Sequence, residues 1–79
     1  MTMHIGKRIR EVLNEQGRTV NWLAESISCE RSNVYNIFRR TDIDAGLLYG
    51  ISCALHHDFF AELSALFAAE SVPARMVGR

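Results

Sequence analysis

At 79 residues the chain holds one domain at most, and a core this small commonly leans on oligomerisation. Its 48% hydrophobic and 23% charged content excludes wholesale disorder, and no apolar run approaches the roughly 20 residues of a membrane span. The formal net charge is zero but uneven: residues 1–40 carry seven Lys/Arg against four acids, residues 41–70 carry five acids and no Lys or Arg, and Arg75 and Arg79 restore the balance.

A basic half beside an acidic half suits a small DNA-binding domain, which turns one face to phosphate and the other elsewhere. The plainer reading is that charge is uneven in short chains. The N-terminal MTMHIGKRIRE lacks the apolar core of a signal peptide, so a cytoplasmic protein with no membrane association is expected.

In chain order, residues 4–16 form the first predicted helix. Ile5, Ile9, Val12 and Leu13 make its apolar stripe. Gly17 follows as the residue that ends it, because glycine tolerates the left-handed conformation there. Lys7, Arg8 or Arg10 is a candidate for a phosphate contact, against the alternative of a solvated helix face. The second helix runs over about 20–26, with Val20, Leu23, Ala24 and Ile27 on one face and Thr19 placed to cap it. Trp22 lies off that stripe and is expected to pack against a neighbouring helix edge, the alternative being an indole contact to the DNA backbone. After the break at Ser26-Ile27-Ser28-Cys29, a third helix starts at Glu30 or Arg31 and runs to about Arg39. Val34, Ile37 and Phe38 are its core positions.

The outer face of this third helix is chemically specific. It offers guanidinium forks, a hydroxyl, an amide and an aromatic ring. Arg31 suits a guanine through O6 and N7, Asn36 an adenine through N6 and N7, and Tyr35 a thymine methyl or the sugar-phosphate. Arg31, Ser32, Tyr35 and Asn36 are therefore the expected base contacts. Thr19, Asn21, Asn33, Arg39 and Arg40 are the expected backbone contacts, which set register rather than sequence choice. Glu30 repels phosphate, but it is favoured by the dipole at the helix N-terminus and is a candidate cap.

The stretch TVNWLAESISCERSNVYNIFRR, Thr19–Arg40, resembles the helix-turn-helix of the lambda-repressor-like (Xre/Cro) regulators. The matching residues are Leu23-Ala24, the small Ser28 and apolar Cys29 in the turn, Arg31-Ser32-Asn33-Val34, and Ile37-Phe38. The likeness covers about Ile5–Phe60. It implies an all-α fold, a compact bundle of five helices containing a helix-turn-helix. Its function is then that of a transcription regulator binding double-stranded DNA, without cofactor. The chain departs from the family at three places. Val20 stands where Gln is frequent, and Ser28 where Gly is frequent. Phe38 stands where Glu is frequent, and the usual Arg partner of that Glu falls at Leu13. An apolar pair in place of an ion pair is often neutral or stabilising.

Beyond the motif, Asp42 or Asp44 caps a fourth helix over about 45–55, whose apolar face is Leu47, Leu48, Ile51 and Leu55. Cys29 and Cys53 fall on apolar positions and are read as buried, unpaired thiols. His56-His57-Asp58 forms a polar turn, with Asp58 capping the last helix. With His4 and Cys53 the histidines make no closed set of zinc ligands, so no metal is expected. They also lack a nucleophile and an orienting carboxylate at useful spacing, so no enzyme is expected.

The last helix spans about Phe59–Glu70. Phe59, Phe60, Leu63, Leu66 and Phe67 give it more apolar surface than a small core needs, and they are assigned to dimerisation. A two-fold homodimer sets two recognition helices roughly 34 Å apart on a palindromic operator. The domain is thus taken as 1–70, with 71–79 a flexible tail. The alternative function is a protein-interaction module, or an antitoxin-type partner, that keeps the helix-turn-helix shape and binds an unknown protein.

Overall fold

Short polar side chains set where the helices begin. The computed structural model describes residues 4–71. Helices α1 (Ile5–Glu15), α2 (Val20–Ser26), α3 (Arg31–Phe38), α4 (Ala45–Leu55) and α5 (Phe59–Ser71) follow one another, and no strand occurs among the described residues. Each helix leaves its first backbone N–H groups without internal partners. His4 Nδ1 accepts from Lys7 N–H at 3.1 Å, Thr19 Oγ1 from Trp22 N–H at 3.0 Å, Asp44 Oδ1 from Leu47 N–H at 2.8 Å and Asp58 Oδ1 from Ala61 N–H at 2.9 Å. Of the two aspartates considered for α4, Asp44 is the cap. Glu30 precedes α3 but makes no side-chain cap bond, which corrects the expectation for it. Its side chain is one methylene longer than that of Asp or Asn, and longer still than that of Ser or Thr, the residues that reach back to N2 or N3.

Three helix ends share one geometry. Gly17, Ser28 and His56 adopt positive φ values of 69°, 59° and 51°. In each case the next residue donates to a carbonyl five positions back: Arg18 to Leu13 at 3.1 Å, Cys29 to Ala24 at 2.9 Å, His57 to Ser52 at 3.1 Å. This is the Schellman arrangement that satisfies the last carbonyls. Ser28 and His56 carry a Cβ into the left-handed region, at a cost of roughly 1–2 kcal/mol each.

The core is one cluster: Ile5, Ile9, Val12 and Leu13 from α1, Leu23 and Ala24 from α2, Val34, Ile37 and Phe38 from α3, Leu48, Ile51 and Leu55 from α4, and Phe59 from α5. Phe38 and Leu13 are both buried in it, so the two positions seen as an apolar pair do share the interior. Trp22 is partly buried against the cluster, as expected, with the Arg18 guanidinium 4.3 Å from its ring centroid. Cys29 is partly buried, but Cys53 is exposed, against the expectation of two buried thiols. At 100° per residue, position 53 lies about 200° round α4 from the fully buried Ile51, on the face turned from the core.

The last helix also differs from expectation. Phe59, assigned to dimerisation, is fully buried and belongs to the monomer core. Leu63 packs partly against that core. Further along, α5 leaves it, and Phe67 is 71% exposed. The helix continues through Ser71; the rest of the proposed tail, 72–79, lies outside the described residues. No described helix is long and apolar enough to cross a membrane.

Candidate nucleic-acid interface

The expected base- and backbone-contacting residues converge on the outside of α3 and the start of α2. In α3, Val34 and Ile37 turn inward with Phe38. The helical period then forces the remaining positions outward. Arg31, Ser32, Asn33, Tyr35 and Asn36 are all exposed, as are Arg39 and Arg40 just past the helix end. Ser32, Tyr35 and Arg39 run along one strip of this face. Asn33, Asn36 and Arg40 run along the next. Across the turn, the Arg31 Nη1 donates to Asn21 Oδ1 at 3.3 Å, which joins the start of α3 to the start of α2. Arg39 donates through Nη2 to Asn36 Oδ1. Asn36 thereby keeps its amide N–H groups and one oxygen lone pair for another partner. Thr19 sits at the N-terminus of α2 with its hydroxyl engaged in capping.

The frame behind this face is held by backbone. Gly6 N–H donates to Arg40 C=O at 3.0 Å and Ile5 N–H to Thr41 C=O at 3.3 Å. The N-terminus of α1 thus satisfies carbonyls of the chain just past the end of α3. That approach requires glycine. A Cβ on Gly6 would lie 2.3 Å from the Ile37 carbonyl oxygen, 2.5 Å from that of Phe38 and 2.7 Å from that of Arg40. The sequence reading passed over Gly6. A glycine inside an amphipathic helix was the available signal, since it marks either a weak point or a close backbone approach.

The three basic residues of α1 separate in space. Lys7 and Arg10 are exposed. Arg8 is committed elsewhere: Nε and Nη2 donate to the two Glu62 oxygens at 2.9 and 3.0 Å, Nη1 to Glu11 at 3.1 Å, and Glu15 lies 3.9 Å away. It is removed from the list of phosphate candidates. Hydrogen bonding to Glu62 raises the guanidinium pKa above its ordinary value, and burial opposes this less strongly. The same bond holds the Glu62 carboxyl below its ordinary range, again against burial, with further help from His57. Arg18, over Trp22 beside the start of α2, was also passed over; its i, i+4 spacing to the ring was the signal.

Among the described residues, no group of three or more His, Cys, Asp or Glu is placed to hold a metal ion. The Cys29 thiol is pushed up by burial and, less, by Glu30. Compared with known proteins, the chain matches no family model, no curated protein and no solved structure.

Proposed function

We propose that this chain binds double-stranded DNA with sequence preference and regulates transcription. In this reading α2 and α3 form a helix-turn-helix of the lambda-repressor-like kind, with α3 in the major groove. The observation that carries it is the α3 face itself. Arg31, Ser32, Tyr35 and Asn36 stand exposed in one surface while Val34, Ile37 and Phe38 are buried behind it. Arg31 reads guanine, Asn36 reads adenine while Arg39 steadies it, and Ser32 and Tyr35 contact neighbouring base edges or a thymine methyl. Asn21, Asn33, Arg39 and Arg40 hold phosphate and fix the docking angle. The apolar surface that α5 leaves uncovered, now Phe60 and Phe67 with the half-buried Leu63 and Leu66, is the surface for a second copy, and a two-fold dimer reads a palindrome.

The test is selection from a randomised duplex pool at two salt concentrations, with wild type and Arg31→Ala. The expected outcome is a palindrome with half-sites about one turn apart, and loss of preference at one position per half-site, worth about 1–3 kcal/mol, in the variant. Weak binding that salt erases, with no sequence enriched, overturns this reading. The bare apolar stretch of α5 would then favour the protein-interaction module, whose partner binding survives Arg31→Ala.

A further inference from the structure

Positive charge also collects beside the α2–α3 face, in a cleft between the first turns of α1 and the last turn of α3. His4, Lys7, Arg10, Tyr35, Phe38 and Arg39 line its volume of about 510 Å³, and no carboxylate is among them. Phe38 is the floor, 8% exposed. The Tyr35 ring meets it edge-on at 6.1 Å between centroids, and the Arg10 guanidinium stands 5.9 Å from its centroid. Arg39 is steadied by Asn36.

The surrounding charges are sorted in a way that leaves this cleft positive. On α1, the acids Glu11 and Glu15 are drawn to Arg8, which faces Glu62. Lys7 and Arg10, one turn apart, line the cleft and border Glu11 only on their other side. The backbone N–H groups of Ile5, Gly6 and Lys7 are already bonded to Thr41, Arg40 and His4. An anion here is therefore held by side chains and not by the helix terminus.

We propose that this cleft is a phosphate-binding site. Two guanidinium groups and an ammonium around a partly apolar floor match a tetrahedral dianion or a phosphodiester, through charge-assisted hydrogen bonds. The phosphate comes either from a DNA backbone flanking the base-reading face, which shares Tyr35 and Arg39 with the cleft, or from a free polyphosphate. The first source rests on the DNA-binding reading; the site itself does not.

Two measurements on wild type and Lys7→Gln/Arg10→Gln test it, with circular dichroism confirming that these exposed substitutions leave the fold intact. Inorganic pyrophosphate is titrated at low ionic strength and followed by NMR. Saturable shifts confined to residues 4–10 and 35–39, with affinity at least tenfold lower in the variant, support the site. In parallel, affinity for the duplex recovered by selection is measured against salt. A slope that falls by about 0.9 for each phosphate no longer neutralised identifies the DNA backbone as the source. Pyrophosphate binding with an unchanged duplex slope, or with no duplex bound at all, identifies a free polyphosphate. No pyrophosphate shift together with an unchanged slope overturns the site, even where Arg31→Ala still abolishes selection and the DNA reading stands.

Discussion

The two ends of the molecule are built by different means. At the basic end, α1 and α3 meet through backbone hydrogen bonds at a glycine, with Ile5, Ile9, Val34 and Ile37 sealing the contact from within. At the acidic end, α5 is fixed by Phe59, the edge of Leu63 and one side-chain network, Arg8–Glu62–His57. Backbone contacts admit one geometry, whereas a side-chain network tolerates small shifts. The face expected to read a rigid ligand therefore stands on the less deformable frame. The helix that leaves the core has surface to offer and little to hold it.

Replacing aromatics along α5 tests that contrast most severely. Phe59→Ala is expected to cost about 3–5 kcal/mol in urea unfolding, as for other buried Phe. Phe67→Ala is expected to cost under about 0.5 kcal/mol at low protein concentration. A growing Phe67 effect at higher concentration would show that a second copy covers it. Equal costs at all concentrations would mean that the whole of α5 is core, and the contrast fails.

Gly6→Ala addresses the other end. The added methyl meets three carbonyl oxygens, so α1 must move off the end of α3, at an expected cost of about 3 kcal/mol. Amide exchange at Ile5 and Gly6 should accelerate with it. A variant as stable as wild type would show that the backbone junction is not the constraint described.

A smaller effect than at Phe59 or Gly6 is expected at Glu62. Because its carboxyl is held below the ordinary range by Arg8, its contribution is complete above the unfolded value of about 4.3 and is lost as pH falls through the folded value. Glu62→Gln should cost about 1–2 kcal/mol at pH 7. The gap to wild type should close in acid. A gap that stays constant with pH would assign the effect to shape rather than charge.

Local features were the legible ones. Helix limits, the caps at Thr19, Asp44 and Asp58 and the turn at Gly17 depend on residues within a few positions of one another. The exposed face of α3 followed from its period alone. What escaped depends on distant partners. Gly6 matters because of the carbonyl of Arg40. Arg8 is withdrawn from solvent by an acid 54 positions away. Phe59 and Phe60 are adjacent and chemically identical, and only the angle at which α5 docks decides that one is core and the other is 38% exposed. Cys53 was assigned to an apolar position and read as a buried thiol, though its angular position on α4 already separated it from Ile51.

That misplacement leaves the molecule with a built-in chemical handle. Alkylation proceeds through the thiolate, and Cys29 is both partly buried and disfavoured as an anion. Cys53 lies in the open beside Tyr49 and Phe60. A single maleimide probe should therefore mark the α4–α5 side without mutagenesis. It would report whatever docks there while the opposite side remains chemically untouched.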